Sequence, residues 1–126
     1  MEYDQFGYLA RKASYRGSDL NGKTITFYQD GKVKSELEYS KGQLHGICRY
    51  YNEQGNRIAT RTFLKGKHTG IDSLFDEEGV LKVTTEYLNG KMHGFLRKYD
   101  KSGSIKFESR YSVDSLIEVN GSPLKK

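Results

Sequence analysis

The chain has 126 residues, a single cysteine and a formal net charge of +5 at neutral pH. Hydrophobic residues make up only 35% and charged residues 29%, so a conventional two-layer core would be thin at this composition. No apolar run is long enough for a membrane-spanning helix, and the first residues lack the apolar stretch of a signal peptide. Cys48 has no partner for an internal disulfide, and together these features predict a cytoplasmic protein, the alternative being that a targeting segment was removed.

Glycines and aromatic residues recur along the chain with a period of 24 residues. The two best-spaced glycine sets are Gly22, Gly46, Gly70, Gly94 and Gly31, Gly55, Gly79, Gly103. The aromatic sets are Phe27, Tyr51, Phe75, Tyr99 and Tyr39, Phe63, Tyr87, Tyr111. A fixed period of this length is typical of a repeat architecture, and we predict a structural role for these aromatic residues.

The repeats occupy nearly the whole chain, which we interpret as one domain over residues 1–126 with about five copies. The first copy, residues 1–21, is degenerate, and the regular copies cover residues 22–111. Residues 112–126 form a cap and tail, where Asp114 stands in a place that other copies fill with glycine. Terminal copies often depart from a repeat because they cover an exposed end.

Within each copy, the second segment alternates in polarity with a period of two. One parity holds Val33, Ser35, Leu37 and Tyr39, and the other holds Lys34, Glu36 and Glu38. Alternation predicts antiparallel strands with one apolar and one charged face. Tyr28, Tyr50 and Leu74 fall on the charged face in this interpretation, as does Cys48. The three large residues are therefore candidate partner contacts.

Two short connections separate the strands of each copy. The first turn has Asn or Asp at its start and Gly at its end, as in Asn52 to Gly55. This pattern predicts a type I turn followed by a left-handed residue. The second turn, as in Lys65-Gly66, offers similar chemistry. The predicted fold is all-β, a single-layer antiparallel β-meander of hairpin repeats.

The charges differ between the two long edges of this predicted sheet. The first turns carry Asp30, Glu53, Asp76, Glu77, Glu78 and Asp100. The second turns carry Lys41, Lys65, Lys67 and Lys91, with His45 and His93 nearby. This basic edge is a candidate site for an anionic partner, the alternative being a solvated edge that aids solubility. Nucleic acid is disfavoured because Glu36, Glu38, Glu86 and Glu108 lie on the charged face.

No pattern in the chain predicts catalysis or a cofactor. The sequence has no phosphate-binding loop, no cysteine pair and no nucleophile-elbow motif. His45 and His93 share a repeat position, whereas His68 lies one place earlier in its copy. Neighbouring copies of a two-stranded repeat lie roughly 10 Å apart, too far for one metal ion to bridge. We expect neither an enzyme nor a metal site.

The spacing of the motif resembles the MORN repeat. Its carriers are Tyr39-Ser-Lys-Gly42-Gln-Leu-His-Gly46, Phe63-Leu-Lys-Gly66-Lys-His-Thr-Gly70 and Tyr87-Leu-Asn-Gly90-Lys-Met-His-Gly94. More narrowly, the chain is similar to the bacterial variant found in the YwqK-type antitoxin family. The resemblance implies a non-enzymatic module that binds a protein, such as a toxin. The alternative that it implies is a scaffold that associates with itself or with an anionic membrane surface.

Overall fold

A computed structural model of the protein describes residues 2–5, 7–113 and 115–123. These residues form one antiparallel sheet of 14 strands. The strands are β1 (Glu2–Tyr3), β2 (Leu9–Arg16), β3 (Asp19–Phe27), β4 (Val33–Ser40), β5 (Gln43–Leu44), β6 (Gly46–Tyr51), β7 (Arg57–Leu64), β8 (Lys67–His68), β9 (Gly70–Phe75), β10 (Leu81–Leu88), β11 (Lys91–Tyr99), β12 (Ile105–Ser112), β13 (Ser115–Val119) and β14 (Ser122–Pro123). The strands lie in the order of the chain, except that the short strands β5 and β8 lie off this path and pair with β4 and β7. The predicted single-layer antiparallel meander is confirmed.

Strand pairing reaches both ends of the described chain. In the degenerate first copy, the Asp4 N–H donates to the Tyr8 carbonyl, and the Gly7 N–H donates to the Asp4 carbonyl. In the predicted cap and tail, β14 pairs with β13, and β13 pairs with β12. Asp114, which departs from the repeat in sequence, lies outside the described residues.

The first turns have the predicted geometry. In the turn from Asn52, the Gly55 N–H donates to the Asn52 carbonyl over 3.0 Å, and Gly55 has a φ of 88°. The Asn52 side-chain oxygen accepts the N–H groups of Gln54 and Asn56. The short polar side chain thus replaces the backbone partners that the turn lacks, which explains why Asn or Asp starts it.

The second turns differ from the expectation. Both central residues have positive φ, 50° at Lys65 and 80° at Gly66, and the same holds for Lys41 and Asn89 with their following glycines. This is the two-residue primed hairpin turn, whose twist matches that of the strands it joins. A lysine in this conformation is strained relative to Asn or Gly.

A bulge near each first turn changes which residues share a face. Tyr51 pairs with Arg57, but Tyr50 pairs with Ala59 rather than with Ile58, so β7 contains one extra residue. Residues directly opposite each other share a face. Tyr50 also pairs with Ser35, and Leu74 pairs with Ala59 and with Val83. The placement of Tyr50 and Leu74 on the charged face was therefore wrong.

Within the described part of the chain, the buried residues all lie on one face, which we call the core face. They are Thr24, Ser35, Cys48, Ala59, Asp72, Thr85 and Ser109. Cys48 is completely buried there, opposite Arg61, which corrects its predicted position on the charged face. The opposite face, the ion-pair face, carries the pairs Arg97–Glu108 at 2.7 Å and Arg110–Glu118 at 2.8 Å.

Hydrogen bonds also join one copy to the next at both edges. The N–H groups of Gly42, Gly66 and Gly90 donate to the carbonyls of Leu20, Leu44 and His68 over 2.7–2.9 Å. At the other edge, the Asn52 and Asn56 side chains donate to the Glu77 carbonyl over 2.7 and 3.0 Å. These turns are thus fixed by the copy beside them.

Candidate partner-binding site

The core face contains an open cleft of about 640 Å³ where β6, β7 and β9 lie side by side. We call it the central cleft; its lining residues are Tyr50, Ile58, Ala59, Arg61, Leu74, Phe75, Asp76 and Glu77. Tyr50 and Leu74 flank Ala59 on the two neighbouring strands. The small side chain between two large ones leaves the space, and Leu74 remains 39% exposed.

The charged residues of the cleft lie on the strand β7 and in the turn after β9. The Arg61 guanidinium lies over the Tyr50 ring, 5.6 Å from its centroid. Asp76 begins the turn, and its Oδ1 accepts the N–H groups of Val80 and Glu78 at 2.9 and 3.0 Å. The bond from Val80 is the main reason that the pKa of the Asp76 carboxyl is lowered. Asp76 is therefore ionised at neutral pH.

Beside the cleft, Arg61, His68 and Asp72 form what we call the central cluster. Asp72 Oδ1 lies 3.4 Å from Arg61 Nε and 3.6 Å from His68 Nε2. The His68 ring stacks between two aromatic rings, with centroids 5.1 Å from Phe63 and 3.9 Å from Tyr87. The cluster thus joins an ion pair to an aromatic stack on the core face.

Burial shifts the pKa values of two members of the central cluster. Desolvation raises the pKa of the Asp72 carboxyl, and the nearby charges of His68 and Arg61 oppose this shift. Desolvation also lowers the pKa of the His68 imidazole, although the Asp72 charge acts in the opposite direction. Asp72 is only 7% exposed, so its charge is held away from water at a cost in free energy.

Sequence reasoning missed the central cluster, although the repeat contains the signal. At the His68 position the other copies have Leu20, Leu44, Met92 and Leu116. At the Arg61 position they have Ala13, Leu37, Thr85 and Ser109, and at the Asp72 position Thr24, Cys48, Leu96 and Asn120. Three charged or ionisable residues replace uncharged ones at positions that the fold brings into contact.

The predicted basic residues lie apart from the cleft. Lys41, Lys65, Lys67 and Lys91 are all exposed along the second-turn edge. His45 Nδ1 accepts the Lys65 N–H over 3.2 Å, and His93 Nδ1 accepts the Val113 N–H over the same distance. Both histidines therefore support the turn of the following copy.

Tyr28 stands apart from Tyr50 and Leu74. It occupies the first-turn place that holds Asn52 in the next copy, and its hydroxyl donates to the Tyr51 carbonyl over 2.7 Å. A neighbouring depression is lined by Tyr28, Gln29, Asp30 and Glu53. The structure thus brings together only two of the three predicted apolar contacts.

The repeat aromatic residues are all half-buried and occupy both faces. Phe63 and Tyr87 lie on the core face, where they enclose His68. Phe75 follows Leu74 in β9, so its side chain leaves the strand on the ion-pair face, and the residue also lines the end of the central cleft. Tyr99 lies on that face as well, since its hydroxyl is 2.9 Å from the Thr84 hydroxyl.

A sequence profile of the MORN repeat variant matches residues 20–41. This match supports a MORN-repeat protein. The matched segment covers nearly one period, and the remaining copies follow it with the same spacing and the same turns. MORN repeats fit a non-enzymatic module that binds proteins or membranes. A search of curated proteins finds no match.

Two features that would indicate other classes of function are absent from the described part of the repeat array. Within residues 2–5, 7–113 and 115–123, no three His, Cys, Asp or Glu side chains are grouped so that they could hold a metal ion. The same residues include no helix of the length and apolarity needed to cross a membrane.

Proposed function

We propose that the protein is a non-enzymatic protein-binding module of the antitoxin or immunity type, acting in the cytoplasm. It would hold a protein partner, such as a toxin, against the core face and the basic second-turn edge. The observation that carries this proposal is the central cleft, where the apolar side chains of Tyr50 and Leu74 border open space on a single-layer sheet. Open apolar surface of this kind is typical of interaction sites.

The narrower assignment to an antitoxin rests on the similarity to YwqK-type repeats. A stoichiometric neutraliser needs an extended recognition surface and no catalytic group, and a repeat sheet supplies such a surface. The exposed lysines of the second-turn edge would favour a partner with an acidic patch, mainly through the rate of association.

A tagged pull-down from the native lysate, with mass spectrometry and a salt series, tests the proposal. We expect one dominant protein at equal stoichiometry, with recovery that falls as salt rises. Reversal of Lys65, Lys67 and Lys91 to Glu should weaken the complex. Reversal of Lys12, Lys101 and Lys106 to Glu gives the same net charge away from that edge and serves as the control. Equal loss in both variants would reject a specific basic edge.

The second candidate is a scaffold that associates with itself or with anionic membranes. The observation that favours it is the row of exposed lysines along one edge, which could lie against acidic headgroups. Sedimentation with vesicles that contain phosphatidylserine, and light scattering over a concentration series, test this candidate. Recovery with vesicles or as assemblies, without a protein partner, would favour the scaffold over the antitoxin.

A further inference from the structure

The central cleft differs from the equivalent place between the next strands. There, the equivalent positions one copy further on hold Leu74 in β9, Val83 in β10 and Lys98 in β11. In the cleft these three positions hold Tyr50, Ala59 and Leu74. A larger residue replaces the alanine, and a lysine replaces one apolar wall. The repeat fold therefore does not require an open apolar cleft, and the cleft is a local property of Tyr50, Ala59 and Leu74.

The two charged sides of the cleft are not equivalent. Arg61 already has an anionic partner in Asp72, at 3.4 Å. On the other side, the turn after β9 carries Asp76 and Glu77, and no ion pair found in the described part of the chain includes either carboxylate. The cleft therefore presents negative charge at its first-turn end, where the Lys82 charge acts on Asp76 but forms no ion pair with it in the described residues.

The acidic end of the cleft is also fixed in position. The Glu77 carbonyl accepts two hydrogen bonds, from the side-chain amides of Asn52 and Asn56 in the preceding copy. Asp76 is held by the N–H groups that its carboxylate accepts. A ligand cation would meet carboxylates on an ordered turn, which lowers the entropy cost of binding.

We infer that the central cleft is a recognition site for an extended protein segment in which a large apolar residue has a lysine or arginine beside it. The apolar side chain packs on Ala59 between Tyr50 and Leu74, and the cation reaches Asp76 and Glu77. Arg61 is a positioning residue, because the Asp72 carboxylate and the Tyr50 ring hold it at the other side. This inference rests on the proposed protein-binding function and adds the chemistry of the segment that is bound.

Three blocked pentapeptides test the chemistry directly by NMR titration of the labelled, full-length protein. The first has leucine at its centre with lysine beside it and serine elsewhere; the second replaces the leucine by serine, and the third replaces the lysine by glutamate. We expect shift changes at Tyr50, Leu74 and Glu77 with the first peptide. Loss of the leucine should weaken binding at least about tenfold, because its burial supplies most of the affinity. The glutamate peptide should bind more weakly than the first by about threefold or more.

Variants taken from the neighbouring copy test the location. Ala59→Val and Leu74→Lys introduce residues that the next copy carries at equivalent positions, so the fold should tolerate them. Each should abolish the shift changes caused by the leucine–lysine peptide. Lys98→Ala alters the equivalent position outside the cleft and should leave peptide binding unchanged. Equal binding of all three peptides, absence of binding by the first, or binding that survives both cleft variants would overturn the inference.

The two proposals fail in different ways. If the pull-down yields a partner that the Ala59→Val and Leu74→Lys variants retain in full, the function stands and the cleft site is wrong. If the pull-down yields no partner but the leucine–lysine peptide binds with the expected preference, the site stands and the antitoxin proposal is wrong.

Discussion

Two neighbouring parts of the same sheet carry different side chains at equivalent positions of the core face. Between β10 and β11, Thr85 pairs with Leu96 on the core face, and both side chains are uncharged. Between β7 and β9, the corresponding positions hold Arg61 and Asp72, which form an ion pair beside His68. The backbone pairing is antiparallel in both places. The difference shows that the charged cluster is not needed to form the sheet.

A buried ion pair is weak evidence for stability, because the loss of hydration can exceed the attraction between the charges. The other copies build the same hairpins with uncharged residues at these positions. The central cluster contributes instead to the surface beside it, since Arg61 lies against Tyr50 at the edge of the cleft. The predictions below test this contrast between copies.

The largest expected effect distinguishes two repeat glycines. Gly94 has a φ of 112°, and a Cβ there would lie 2.1 Å from Glu86 Oε2 and 2.9 Å from its carboxyl carbon. Gly70 occupies the same place one copy earlier, but its nearest neighbour would be Thr62 Cβ at 3.5 Å. We expect Gly94→Ala to cost about 3 kcal/mol through clash and backbone strain, and Gly70→Ala about 1 kcal/mol. Urea denaturation measures the free energy of unfolding of both variants. Equal losses of stability would show that backbone strain accounts for the effect and that the clash with Glu86 adds nothing.

The next prediction separates a broken ion pair from a replaced one. Arg61→Leu alone leaves the buried Asp72 carboxylate without its guanidinium partner and should destabilise the fold by about 1–3 kcal/mol. The triple variant Arg61→Leu, His68→Leu, Asp72→Cys carries the residues of the copy that contains Leu37, Leu44 and Cys48. We expect it to match or exceed wild-type stability, by as much as about 1–4 kcal/mol. Chemical denaturation measures the stability of both variants and of wild type. A triple variant less stable than wild type would contradict this prediction.

A smaller effect concerns pH and His68. Burial lowers the pKa of this imidazole, so below the ordinary histidine value of about 6.5 the unfolded chain binds a proton more readily than the folded chain. Stability should therefore fall as pH drops through that range, by at most about 1.4 kcal/mol per pH unit. The pKa of the Asp72 carboxyl is raised, so between 3.8 and that raised pKa the folded chain binds a proton more readily than the unfolded chain. Only in that lower pH range does Asp72 oppose the effect of His68 on stability.

The variant His68→Leu isolates this contribution, because His45 and His93 remain in both proteins. Urea midpoints at pH 7.5 and pH 5.5 should differ more in wild type than in the variant. Identical pH dependence of the two proteins would mean that His68 is equally protonated in the folded and unfolded chains.

The smallest expected effect is a gain in stability. Lys65 adopts a φ of 50° in its turn, whereas the next copy places Asn89 there with the same φ. Because Asn tolerates this conformation better, Lys65→Asn should stabilise the protein by about 0.5–1 kcal/mol. The reverse change, Asn89→Lys, should destabilise by a similar amount in thermal denaturation. A loss on Lys65→Asn would show that the lysine makes contacts that outweigh the backbone strain.

Most of the fold could be predicted because the hairpin chemistry is local. The turn that starts at Asn52 and ends at Gly55 depends on residues adjacent in sequence, and the repeat gave the same signal several times. The faces of Tyr50 and Leu74 could not be predicted from alternation alone. A single extra residue in β7 reverses the parity across the turn, and its position depends on the pairing with β6.

The site was harder to predict than the fold for a different reason. A search for periodicity finds positions where the copies carry the same type of residue. Arg61, His68 and Asp72 lie at positions where this copy differs from the others. Their proximity depends on β7 and β9 being neighbours, and on the hairpin that places His68 opposite Phe63. A comparison of each copy with the others, followed by mapping of the departures onto the predicted meander, would have found the central cluster.

The hydrogen bonds between copies have a consequence for how such a sheet changes length. The donors Gly42, Gly66 and Gly90 lie one period apart, and so do the acceptors Leu20, Leu44 and His68. Removing a whole period would bring each remaining donor to an equivalent acceptor, whereas a deletion of any other length would leave both edges mismatched. The array can therefore gain or lose recognition surface in steps of one copy, so that gene duplication sets the length of the surface and substitution within a copy sets what it binds.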